Sequence, residues 1–153
     1  MSDALEIATL PAGLCWPVSA TELPYLIDFP PTPEPVWRAQ CSRITSFPVI
    51  DEGWHLFQDA ALKLMDSAWV REISPWLWAL NGRYADNISQ ALASEPGEAA
   101  MTAMDEYRKR AYGWGWAANS HAMTEIGSAL IDYLEFTNPS EIVVIRFYEW
   151  GKY

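Results

Sequence analysis

The stretch 142–150, IVVIRFYEW, sets Val143, Ile145 and Phe147 against Val144, Arg146 and Tyr148. A period of two is how a β-strand presents side chains to its two faces, and β-branched and aromatic residues favour that pleated state. A lone strand leaves backbone N–H and C=O groups without partners, so this one needs a neighbour. Residues 36–42 supply the same pattern, with Trp37, Ala39 and Cys41 on one side and Arg38, Gln40 and Ser42 on the other. Pairing the two gives a small antiparallel sheet.

The chain between these strands reads as helical. Asp51 can cap a helix over 52–73, because Trp54, Phe57, Ala61, Leu64, Met65 and Ala68 recur at spacings of three and four. Ser74 and Pro75 suit the cap and first position of a further short helix through Trp76, Leu77, Trp78 and Leu80, ending near Asn81 and Gly82. Residues 86–93 look helical again, and 94–97, SEPG, form a turn. A third helical segment spans 98–112, with Met101, Met104, Tyr107 and Ala111 on one face. Asn119 or Ser120 caps a last helix whose buried stripe is Met123, Ile126, Leu130, Tyr133 and Leu134, before a turn at 137–140.

Residues 1–35 differ in kind. Pro11, Pro17, Pro24, Pro30, Pro31, Pro33 and Pro35, with Pro48 beyond them, are eight of the chain's eleven prolines. Neither a long helix nor a central strand is expected at that density. Yet Leu14, Trp16, Val18, Leu23, Tyr25, Leu26, Ile27 and Phe29 lie among them, so an extended proline-rich arm packed on the domain is predicted. The expected fold is α+β, a helix-dominated single domain over 1–153 with strands near 36–42 and 142–150. The absence of a 20–50-residue repeat and of a βαβ alternation argues against solenoids and doubly wound sheets.

Composition narrows the function. With 153 residues, half of them hydrophobic and 14% aromatic, the chain can bury a full core. Cys15 and Cys41 are too few for a disulfide framework and match no zinc or redox spacing. Residues 1–20 carry Asp3, Glu6, Pro11 and Pro17, unlike a secretory signal, and no apolar run approaches the roughly 20 residues of a membrane span. A cytoplasmic protein without membrane contact is expected. The net charge of −10 repels phosphate backbones, so nucleic acid is not an expected partner. Residues 1–37 contain Asp3, Glu6, Glu22, Asp28 and Glu34 and no Lys or Arg. A charge-steered partner is therefore basic, although net charge also serves solubility.

Catalytic constellations are sparse. His55 and His121 each stand at a predicted helix start, and neither Cys15 nor Cys41 has a local nucleophile signature. Asp51 and Glu52 are explained by a helix dipole, and Glu125 and Asp132, seven apart, by a solvated helix face. The eight glycines form no phosphate-binding loop. No cofactor and no metal are called for.

Two segments are candidate binding surfaces. Tyr112, Trp114 and Trp116 are interleaved with Gly113 and Gly115 after the basic run Arg108, Lys109 and Arg110. Such aromatics recur as interface anchors, and equally as core plugs at a helix junction. The arm offers Trp16, Tyr25, Phe29 and Trp37 with Asp28 and Glu34, a stiff acidic element that loses little entropy on binding. The expected partner-binding residues are Tyr25, Asp28, Glu34, Trp37, Tyr112, Trp114 and Trp116. Small size, acidity and aromatic content point to a protein-binding inhibitor, in the manner of a toxin-immunity protein or a phage-encoded anti-defence protein. The alternatives are a small hydrolase or transferase with a site dispersed over Cys41, His55, His121 and carboxylates, and an assembly subunit or chaperone of a larger complex.

Overall fold

Residues 3–9, DALEIAT, form a strand inside the sheet. The computed structural model describes residues 3–23, 41–49, 51–94 and 117–148. Among them five strands are joined in the order β2-β1-β5-β4-β3: β1 (Asp3–Thr9), β2 (Ser42–Val49), β3 (Val70–Ser74), β4 (Leu77–Asn81) and β5 (Ile142–Tyr148). Every neighbouring pair is antiparallel. The α-helices among the described residues are α1 (Asp51–Ala60), α2 (Ala85–Ala93) and α3 (Ala117–Leu134). The core is thus sheet-rich, which corrects the expectation of a helix-dominated domain with a small sheet.

The three inner strands of the sheet, β1, β5 and β4, are buried on both faces. On one, Val143, Ile145 and Phe147 of β5 join Leu5 and Ile7 of β1 and Trp78 and Leu80 of β4 beneath Trp54, Phe57, Ile88, Ile126 and Leu130 of the helices. On the other, Ala8, Leu77, Ala79, Ile142 and Val144 are covered by Leu10, Val18 and Leu23, with Leu14 and Trp16 packed against them. The chain after β1 is therefore a cover for the second face. The predicted arm over 1–35 divides into a central strand, this cover over 10–23, and residues 24–35, which lie outside the described residues.

The expected pairing of a strand at 36–42 with the last strand is overturned, because β5 lies between β1 and β4. β2 starts at Ser42, and residues 36–40 lie outside the described residues. Pro48 is tolerated in β2 because an edge strand need not donate on both sides. The helix expected over 52–73 ends at Ala60, followed by a 3-10 turn at Leu62–Leu64. Asp66 then accepts from the Ala68 N–H at 2.8 Å, a side-chain turn that starts the path into β3. The last apolar positions of the apparent stripe, Leu64 and Ala68, are exposed.

The short helix expected from Ser74 is a β-hairpin. Ser74 Oγ does accept from the Trp76 N–H, at 3.2 Å, but the bond closes the turn between β3 and β4. Residues Leu77–Asn81 then pair with β5, Leu77 opposite Arg146 and Leu80 opposite Val143. A strand buried on both faces is a continuous apolar run, and such a run cannot be told from a buried helix by period alone.

Agreement is better elsewhere. α2 covers the predicted 86–93, and α3 buries Ile126, Leu130, Tyr133 and Leu134 as expected. The helical segment at 98–112 and the Met123 side chain lie outside the described residues. Gly82 between β4 and α2 donates to the Glu141 carbonyl at 2.9 Å. A Cβ there would overlap the Glu141 and Asn138 carbonyl oxygens, so only glycine permits the approach.

Candidate protein-binding groove

Arg43 has φ of 52°, the left-handed region that costs a residue with a Cβ about 1–2 kcal/mol. It sits in a bulge, for Ile7 pairs with Thr45 and Thr9 with Ser42, so β2 carries one extra residue there. The distortion turns Arg43 toward the end of α3. Its Nη2 donates to the Tyr133 carbonyl at 2.7 Å and its Nη1 to the Phe136 carbonyl at 2.8 Å. Its guanidinium also lies 4.3 Å from the centre of the Tyr133 ring. Charge-assisted bonds of this kind offset the backbone cost, and a cation at a helix C-terminus is favoured by the dipole.

Tyr133 completes the tie. Its hydroxyl and Thr9 Oγ1 share a hydrogen bond of 2.6 Å, both side chains being buried. Burial raises the Tyr133 phenol above its ordinary 10.0, against the lowering influence of Thr9 and Arg43. A central strand, an edge strand and a helix are thus pinned at one point.

Beside the pin lies an open groove of about 490 Å³ lined by Arg43, Ile44, Thr45, Ala129, Asp132 and Tyr133. Asp132 and Glu135 are exposed, and so is Phe136, at 70%. No basic residue stands in the last turn of α3. Two carboxylates at the negative end of a helix dipole are locally unfavourable, and Arg43 meets that end through the Tyr133 and Phe136 carbonyls.

None of the seven residues expected to bind a partner can be placed: Tyr25, Asp28, Glu34, Trp37, Tyr112, Trp114 and Trp116 all lie outside the described residues. Of the other tryptophans, Trp54 and Trp78 belong to the core. Their indole N–H groups donate to the Pro75 carbonyl at 3.2 Å and to Gln58 Oε1 at 2.8 Å. Trp16 packs on the second face of the sheet. Sequence reading noted Asp132 but passed over Arg43 and Phe136; the available signal was a helix with Glu125 and Asp132 and no cation in its last turn.

The dispersed catalytic set does not converge where it can be followed. Cys41 packs on the second face, whereas His55 meets Trp76, which packs on the helix-covered face. Burial, with the Glu6 carboxylate adding to it, pushes the Cys41 thiol up to about 12, so the sulfur is protonated at neutral pH. The His121 side chain lies outside the described residues. Among the described residues no group of three His, Cys, Asp or Glu side chains could hold a metal ion, and no helix is long and apolar enough to cross a membrane. Comparison with family models, curated proteins and solved structures finds no match.

Proposed function

We propose that the chain is a small acidic protein that works by binding a protein partner with a basic surface, occluding or neutralising it as a toxin-immunity protein or a phage-encoded anti-defence protein does. The observation that carries this reading is a one-signed stretch. Residues 111–145 contain Glu125, Asp132, Glu135 and Glu141 and no Lys or Arg. Glu125, Asp132 and Glu135 are exposed along α3 and just beyond it. Within a net charge of −10, such a face attracts a basic partner over several ångströms and repels phosphates. The enzymatic alternative is weakened by the protonated Cys41 and by its separation from His55 across the sheet.

Affinity capture with the full chain, followed by mass spectrometry and association kinetics at rising salt, tests the reading. A partner with a basic face should be recovered, and its association rate should fall about tenfold or more between low and physiological salt. Recovery of an acidic partner with salt-independent association, or turnover of a small-molecule substrate by the chain alone, overturns it.

A further inference from the structure

We infer that the groove between β2 and the end of α3 is the docking site, and that its occupant is a lysine- or arginine-bearing segment of the partner protein. This rests on the reading of the chain as an acidic binding protein and locates its interface.

Three features meet there. Glu125, Ala129 and Asp132 stand at i, i+4 and i+7, which places them on one face of α3. Ala129 and Asp132 line the groove, which is open to solvent and has a volume of about 490 Å³. Next to it Phe136 is 70% exposed, while its carbonyl is held by the groove-lining Arg43. An exposed ring that follows an exposed carboxylate in the chain can accept a cation over its face and an apolar stem against its edge.

The charge at the groove favours a cation. The Arg43 guanidinium is committed to two backbone carbonyls and the Tyr133 ring, whereas Asp132 lines the groove and Glu135 stands exposed beside Phe136. These carboxylates persist where the helix dipole opposes them, the kind of local conflict that marks a functional surface. Leu64, the other large apolar side chain exposed among the described residues, does not share this setting, since its neighbour Lys63 is paired with Asp59 at 2.8 Å.

The test uses the full ¹⁵N-labelled chain and two synthetic peptides of twelve residues, one arginine-rich with a central leucine and one with glutamate replacing each arginine. The basic peptide should shift the amides of Arg43, Ile44, Thr45 and Ala129 and those of 132–136, and the acidic peptide should not. Asp132→Lys with Glu135→Lys should weaken binding at least tenfold, and Phe136→Ala at least threefold. Lysines in that last turn favour the helix, so the double variant should fold. Glu72→Lys with Asp86→Lys, an equal charge change on exposed residues elsewhere, should weaken it less than threefold. Equal loss in both double variants, or shifts confined to another surface, overturns the groove while leaving an acidic binding protein intact. If the basic peptide binds nowhere and the captured partner is not basic, both readings fall.

Discussion

Arg43 closes the C-terminal end of a helix from 90 residues away, donating through Nη2 to the Tyr133 carbonyl at 2.7 Å. The bulge that aims it and the helix end that receives it have no local relationship in the sequence. Their meeting shapes the groove as well as the fold.

Arg43→Ala removes both carbonyl bonds and the ring contact while keeping a Cβ in the left-handed region. A loss of about 1–2 kcal/mol in chemical denaturation is expected, reduced from the buried-charge range because Arg43 is partly in water. Arg43→Gly loses the same contacts but relieves the backbone, so it should be about 1 kcal/mol more stable than Arg43→Ala. Equal stabilities would show that the positive φ carries no cost.

Glu6 and Arg146 stand directly opposite each other on β1 and β5, at 0% and 1% exposure. Removing one buried charge leaves the other in a medium that penalises it, so Glu6→Leu and Arg146→Met should each cost about 3–5 kcal/mol. The double variant should cost less than the sum by at least about 1 kcal/mol. Strict additivity in a double-mutant cycle would separate the two residues energetically.

Cys15 is exposed, whereas the Cys41 thiol is pushed up to about 12 by burial and the Glu6 carboxylate. Iodoacetamide at pH 8 should therefore alkylate Cys15 well before Cys41, read by peptide mass spectrometry. Replacing both by Ala should leave partner binding unchanged. Faster labelling of Cys41 would revive a nucleophilic role.

Tyr133 holds its proton more tightly folded than unfolded, because burial raises its phenol above 10.0. Its contribution to stability is complete below pH 10 and is lost as pH rises through the folded value. Tyr133→Phe should cost about 1–2 kcal/mol at pH 7 through the bond to Thr9. From pH 10 upward the gap between the two proteins should narrow in urea denaturation. A gap that widens would mean that the ionised phenol is the form the fold prefers.

Period and charge in the sequence determined β5, α2, the buried stripe of α3 and the acidic balance, because each follows from residues a few positions apart. Ile142–Tyr148 is rich in β-branched and aromatic residues, and Ile126, Leu130 and Tyr133 repeat at helical spacing. Only the tertiary structure decided that DALEIAT is a central strand, that LWALN is a strand rather than a helical turn, and that Arg43 meets Tyr133. Strands covered on both faces lose the alternation that would reveal them, so their state is set by neighbours from distant parts of the chain. The groove is of the same kind. Asp132 is legible as a solvated helix residue, but its place opposite β2 depends on a bulge and on a hydrogen bond between residues 124 positions apart.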